Sequence, residues 1–290
     1  MAAHNIIQAL VFGEILFDVY QDGAHLGGAP LNFAWYLRQF GVNTGMISAV
    51  GDDLLGAQVR SMLRRAEIDQ TLVAHADAPT GTVDVRLIDG QPRYIINENV
   101  AWDQISDCPD RMQQPEMFYF GTLAQRSECN RSTLRAWLQQ AVKQHFFDIN
   151  LRQSFYNEAI VRTGLEHSSI VKMNDDEWQV LSAMFKLTEP ATMVQDYDLQ
   201  ALIVTHGEHG ASLYRKHSHY DVPSPQVKVI DAVGAGDAFS ATIAAAAIRG
   251  VELEQALPIA CEVGAYVVTV RGAQTTLPAH LTSAFKRENT

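Results

Sequence analysis

Short apolar runs alternate with amphipathic segments along all 290 residues of the chain. The short runs predict strands over Ile6–Phe12, Gly45–Val50, Met117–Phe120, His145–Ile149, Ser169–Met173 and Ala201–Thr205. Apolar residues at helical spacing predict helices over Pro30–Phe40, Leu54–Ala66, Arg131–Gln144, Phe155–Leu165, Asp175–Met184, Ala238–Arg249 and Leu253–Val268. Strand and helix in alternation imply an α/β fold, a mainly parallel central sheet with helices on both faces. One stretch has a different texture. Thr80–Ile88 and Arg93–Ile96 alternate in side-chain character around Asp89-Gly90, which predicts a hairpin that is either a plain sheet edge or a flap over a site. With no Pro/Gly/Ser linker, repeat or low-complexity segment, residues 1–290 are expected to form one domain.

Composition narrows the partners. A hydrophobic content of 47% is enough for a large core, and a net charge of −11 disfavours nucleic acid or an anionic membrane, both of which demand a basic face. A phosphate bound here must be held by backbone amides, a metal ion and a few local cations. There is no run of eighteen apolar residues, and Met1-Ala2-Ala3-His4-Asn5 lacks the basic region of a secretory signal, so a cytoplasmic location is expected. Cys108, Cys129 and Cys261 are odd in number and widely spaced, which fits reduced thiols.

The strongest candidate chemistry lies in Asp231-Ala232-Val233-Gly234-Ala235-Gly236-Asp237, which runs directly into an alanine-rich helical segment. Gly234, Ala235 and Gly236 carry nothing large enough to keep a ligand off the backbone, so their amides and the first amides of the helix can converge on one anion. The structural alternative is a tight turn with one acid as a cap and another in the first helical turn. A cap accounts for Asp231 or Asp237 but not for both. A carboxylate beside an anion hole makes sense if it takes a proton from a nucleophile attacking phosphorus, which points to phosphoryl transfer to an alcohol. P-loop, dinucleotide-fingerprint, nucleophile-elbow and zincin motifs are all absent from the sequence. His206, His209, His217 and His219 cluster, but no acid or thiol frames them at ligand spacing, and they read as loop histidines.

These residues resemble the ribokinase-like carbohydrate kinases, the PfkB family, over most of the chain. The family's Asp-Thr-x-Gly-Ala-Gly-Asp pattern corresponds to Asp231–Asp237, with Ala232 in the usual threonine place. Its glycine pair followed by asparagine corresponds to Gly27-Gly28-Ala29-Pro30-Leu31-Asn32. The resemblance implies a ribokinase-like fold with a small β-lid around residues 17–27 and 80–100, a sugar and ATP as ligands, Mg2+ and K+ as cofactors, and a homodimer paired through the lid. It makes Asp237 the base, Gly234, Ala235 and Gly236 the anion hole, and Asp231 a monovalent-cation ligand or a loop organiser.

Other residues take roles from the same resemblance and from their positions. Asp18, just past the first strand, faces the crevice where α/β folds bind ligands and can accept from two sugar hydroxyls. Gly27 and Gly28 let a sugar approach the backbone while Asn32 supplies a donor and an acceptor; otherwise they are a tight turn before a helix. Alternation puts Asp148, Asn150 and Arg152 on one side of the chain, and Arg152 is a cation for a phosphate or an acidic substrate group. Asn174 and Glu177 match the family's Asn-x-x-Glu, with Glu177 meeting magnesium through water, or they are a helix cap. Thr205 and Gly207 resemble the turn beside the ATP phosphates, and Cys261 and Gly264 are expected near the adenine. The segments around Asn32 and Arg152 look most like fructokinases, which implies 6-phosphorylation of fructose. Ribose and 2-keto-3-deoxygluconate are the alternative substrates, and a non-catalytic sugar- or nucleotide-binding regulator is the alternative class.

Overall fold

Residues Ala9–Phe12 (β1) read out the alternation directly: Ala9 and Val11 enter the core on one face of the sheet, Leu10 and Phe12 the core on the other. In this computed structural model the described residues are 6–21, 23–88, 91–106, 114–140 and 142–285, with side chains of 86–93 left aside. The predicted turn at Asp89-Gly90 and Cys108 lie outside them. After β1 come Leu16–Tyr20 (β2), Gly23–Gly27 (β3), Ala29–Gln39 (α1), Thr44–Gly51 (β4), Leu54–Arg65 (α2), Asp69–Ala76 (β5), Gly81–Ile88 (β6) and Gln91–Ile96 (β7). The chain continues through Met117–Gly121 (β8), Glu128–Leu138 (α3), Gln144–Asp148 (β9), Glu158–His167 (α4), Ile170–Asn174 (β10), Asp175–Phe185 (α5), Pro190–Asp196 (α6) and Ala201–Thr205 (β11). Ala211–Tyr214 (β12), His219–Val222 (β13), Ala235–Ile248 (α7), Leu253–Val267 (α8) and Ala279–Thr282 (α9) complete it.

The main sheet has the order β13-β12-β11-β10-β9-β8-β1-β4-β5, parallel from β11 through β5 and antiparallel in the β12–β13 hairpin at one edge. The chain leaves β1 toward β4 and β5 on one side and returns to β8 on the other. The β1/β8 junction is therefore the topological switch point, where the C-terminal strand ends of an open α/β sheet leave a crevice. Helices α1, α2, α7 and α8 bury their apolar faces on one side; α3, α4, α5 and α6 cover the other. Helix α7 is buried almost all round, from Ala238 to Ala246, and small side chains let it pack closely against both α1 and α8. That packing fixes where its first turn points.

A second sheet, β3-β2-β6-β7, stands over the crevice as a lid. The expected hairpin is β6–β7, and β2, pairing parallel with β6, joins it to residues 17–27. Leu16, Val83, Ile96, Trp102 and Leu123 form a small separate core at its root. There Arg126 forks onto both oxygens of Asp103 at 2.7 and 2.8 Å, lies 3.8 Å over the Trp102 ring, and donates to Asn97 O at 2.6 Å. Among the described residues, no helix is long and apolar enough to cross a membrane.

Two helix predictions need correction. The helix expected over Arg131–Gln144 runs from Glu128 to Leu138, because Ser127 caps it by accepting from Asn130 N, and Gln144 already belongs to β9. The one expected from Phe155 starts at Glu158, after Asn157 accepts from Ile160 N at 2.9 Å. Strands β5, β12 and β13 lie toward or at the sheet edges, where exposed polar positions such as Thr71 and His219 break the apolar run that marks an inner strand.

Candidate active site

The loop after Asp231 is held open by its own geometry. Gly234 adopts φ +82, and a Cβ there would lie 2.5 Å from Ala273 O, so both conformation and space require glycine. Helix α7 begins at Ala235, which leaves the amides of its first turn free of intrahelical partners. Asp231 ties the loop down: Val233 N donates to its Oδ1 at 3.1 Å and Gly272 N to its Oδ2 at 2.9 Å. These two contacts organise the loop, one of the two alternatives expected for Asp231.

Asp237 stands in the first turn of α7, with Asn32 Nδ2 donating to its Oδ2 at 2.8 Å. Asn32 Oδ1 in turn accepts from Gln274 Nε2 at 3.2 Å. The asparagine expected to offer both ends to a ligand thus has both engaged by protein, and it orients the acid. Loss of solvation pushes the Asp237 pKa up to about 6; the Asn32 hydrogen bond resists the shift, Asp148 adds to it, and Lys172 and Arg152 resist it. Asn32 owes its position to Gly28, the cap of α1, whose φ of +107 brings it so close to Glu14 O that a Cβ would sit 2.6 Å away.

A cavity of about 720 Å³ opens beside Asp237 at the switch point. Among its lining residues are Asp18, Gly28, Asn32, Arg152, Asn174, Glu177, Gly234, Gly236 and Asp237, drawn from motifs far apart in the chain. Gly27 abuts it, where a Cβ would meet Asp18 Oδ2 at 3.1 Å. Burial raises the Asp18 pKa against the pull of His25 and Arg152. Gln153 Nε2 donates to Tyr94 O at 2.7 Å, linking the lid to the strand-end loop that carries Arg152.

Two further lining residues escaped the sequence reading. Glu14 is 3% exposed, and burial, with Asp237 adding to it, pushes its pKa up to about 7 against its own backbone amide, Arg152 and Arg126. Lys172 Nζ lies 3.2 Å from Asp148 Oδ1, and Asp148 Oδ2 accepts from Ser240 Oγ at 2.8 Å and from Tyr119 OH at 3.4 Å. A lysine inside the run Ile170-Val171-Lys172-Met173 was the available signal, since charge in a buried parallel strand is seldom idle.

Glu177 is buried and forms a capping box with Asn174. Its Oε1 accepts from Leu151 N at 2.9 Å and its Oε2 from Asn174 N at 2.8 Å. Each oxygen keeps a second lone pair, and Glu177 borders the cavity, a donor set that suits a hydrated hard cation met through water better than direct chelation. Among the described residues, no group of three His, Cys, Asp or Glu side chains is arranged to hold a metal. That includes the histidine cluster, although folding does bring acids to it: His206 lies 2.6 Å from Asp175 Oδ1 and 2.8 Å from Ser212 Oγ, and His219 2.9 Å from Asp221 Oδ1.

A second cavity of about 340 Å³ adjoins the first, sharing Ala232 and Gly236 with it. Thr205, Gly207, Cys261 and Gly264 all line it, beside Val227, Val229, Phe239 and Val268. Its wall is mostly apolar, as suits a planar base, and it reaches Ala235 and Gly236 at the start of α7. Asn174 borders the larger cavity instead, on the other side of that loop.

A family model described as "pfkB family carbohydrate kinase" matches residues 6–280. A fructokinase of Rhizobium leguminosarum bv. trifolii is 28% identical over 255 residues, covering 81% of this chain and 78% of that protein. A solved fructokinase of Xylella fastidiosa with bound ATP superposes with a TM-score of 0.84 at 20% identity, covering 97% of this chain and 99% of the other. A fructokinase of Vibrio cholerae O395 solved with fructose, ADP and calcium superposes with a TM-score of 0.80 at 25% identity, covering 96% and 98%.

Proposed function

The chain belongs to the pfkB family of carbohydrate kinases, and from that premise we propose that it transfers the γ-phosphate of ATP to the primary 6-hydroxyl of fructose, with Asp237 as base. It is a phosphotransferase acting on a hydroxyl. One observation carries it: the acid with a pKa near 6, oriented by Asn32, lines the larger cavity next to Gly236, which both cavities share. A base is most effective when its pKa lies close to the working pH. Sugar occupies the larger cavity, with Asp18 and the Gly27-Gly28 backbone against its hydroxyls, and the nucleotide base the smaller, beside Thr205, Gly207 and Gly264.

Asp237 accepts the hydroxyl proton as the oxygen attacks, while the backbone amides of Gly234, Ala235 and Gly236 meet the charge on the transferring group, that of Ala235 exchanging its long 3.4 Å bond to Ala232 O. Loss of one comparable donor costs about 3–4 kcal/mol of transition-state stabilisation. Glu177 and Asn174 would hold magnesium through water, where it would offset phosphate charge. Asp231 would border K+ through the loop it organises. The lid formed by β2, β3, β6 and β7 keeps water from competing with the sugar, and pairing of two lids would make the homodimer.

The charges favour a neutral sugar. Among the described lining residues the acids Glu14, Asp18, Glu177 and Asp237 outnumber the cations Lys172 and Arg152, and Lys172 already pairs with Asp148. ADP release measured over fructose, ribose and 2-keto-3-deoxygluconate tests this. Fructose should be preferred, and Asp237→Asn should lower kcat about 10²–10⁴-fold. Equal turnover of ribose removes the fructose assignment; tight sugar binding without turnover supports the regulator instead.

A further inference from the structure

We propose that Lys172 is a catalytic residue, its ammonium standing beneath the first turn of α7 and contacting the phosphoryl group as it passes from nucleotide to sugar. The inference rests on the kinase reading of the two cavities and adds a group that reading does not assign.

Lys172 lies inside β10, nine-tenths buried, between apolar neighbours. Taking an ammonium out of water costs several kcal/mol even after relaxation, so an apolar side chain would serve packing better. The fold keeps the charge by building a partner for it. Asp148, on the neighbouring β9, is 1% exposed and takes Lys172 on one oxygen, Ser240 and Tyr119 on the other. Burial alone would lower the lysine's pKa, but Asp148, Glu177 and Asp237 together outweigh it and leave the ammonium more firmly protonated than usual.

The pair is also oriented. Lys172 borders the large cavity and Asp148 does not, so the cation faces the ligand space and its anchor lies behind. Its height is set by Gly236, where an added Cβ would come 3.3 Å from Nζ. Gly236 is one of two residues shared by the walls of both cavities, so the ammonium stands at the boundary that a transferred group must cross. Among the described residues lining the large cavity, the cations are Lys172 and Arg152, and Arg152 is exposed. In the transfer, the bond from the sugar oxygen to the γ-phosphorus forms and the bond from that phosphorus to the β–γ bridging oxygen breaks. The hydroxyl proton goes to Asp237, and the electron pair of the broken bond leaves with ADP. Lys172 exchanges no proton; it offsets negative charge on the moving group as a compact point charge that tolerates a change of distance.

The test compares ADP with a non-hydrolysable imido analogue of ATP, bound calorimetrically to wild type, Lys172→Met and the charge-balanced double variant Lys172→Met/Asp148→Asn. The double variant covers the case in which the single one leaves Asp148 unpaired and fails to fold. Affinity for ADP should stay within about twofold while that for the analogue falls about 10- to 100-fold, as expected for losing a charged hydrogen bond to the γ-phosphate alone. With sugar present, kcat should fall on the order of 10²–10³-fold with little change in sugar KM. The acid limb of kcat/KM should move to higher pH in Lys172→Met, since Asp237 loses a cation that favours its ionised form. Equal weakening of both nucleotides, or none with turnover intact, overturns the assignment. A wild-type protein that binds neither nucleotide sinks the kinase reading and this inference with it.

Discussion

Replacing Asn32 by leucine keeps the branched shape but removes both side-chain hydrogen bonds, the one to Asp237 and the one from Gln274, and it tests whether the base is tuned or merely placed. Burial drives the Asp237 pKa up to about 6, and the Asn32 amide is the largest influence opposing that rise. A hydrogen bond to a charged group contributes about 1.5–3 kcal/mol, and 1.36 kcal/mol corresponds to one pKa unit, so its loss should carry the pKa to roughly 7–8. At pH 7 the ionised fraction of Asp237 then falls from roughly nine-tenths to between a half and a tenth, a loss of about 2- to 9-fold in kcat/KM. At pH 9 most of the activity should return. The assay is sugar-dependent ADP release from pH 5 to 9, read as kcat/KM. A loss of similar size at every pH, with the acid limb unmoved, refutes the reasoning and would mean that Asn32 acts on the ligand.

The same acid has a cost in stability. Its folded pKa of about 6 lies above the ordinary 3.8, so the folded state holds the proton more tightly and stability is lost as pH rises through about 6. Asp237→Asn should therefore be more stable than wild type at pH 8 by about 1–3 kcal/mol, a range discounted for its partial exposure, and little different at pH 4; urea melts at the two pH values check this. Gly234→Ala should lose both activity and stability, because an L-residue in that left-handed conformation costs about 1–2 kcal/mol before the contact with Ala273 O is relieved. Thermal melts beside the ADP-release assay would show it, and an unchanged midpoint would mean that the loop relaxes freely.

Much of the fold was legible because a buried parallel strand and an amphipathic helix leave different periods in a sequence. The inner strands β1, β4 and β8 to β11 were located by their apolar runs. The loop Asp231–Asp237 and the pair Gly27-Gly28 were legible for another reason: runs of small residues just before a helix stand out in local composition. The edge strands were missed because their outer positions are polar. Glu14 was missed because nothing local distinguishes a buried charge from a solvated one, and Lys172 despite the apolar run that surrounds it.

By itself the sequence determined the elements, the anion loop and the two acids that bracket it, since these depend on local spacing and backbone conformation. Only the tertiary structure decided what surrounds each acid. Residues 32 and 237 meet because α1 and α7 pack side by side, and that contact sets the acid's pKa. Residues 148 and 172 meet because β9 and β10 are neighbours in register, and that pairing keeps a lysine charged at the cavity wall. Solvation and charge proximity are properties of the packed chain, and no reading along one dimension contains them.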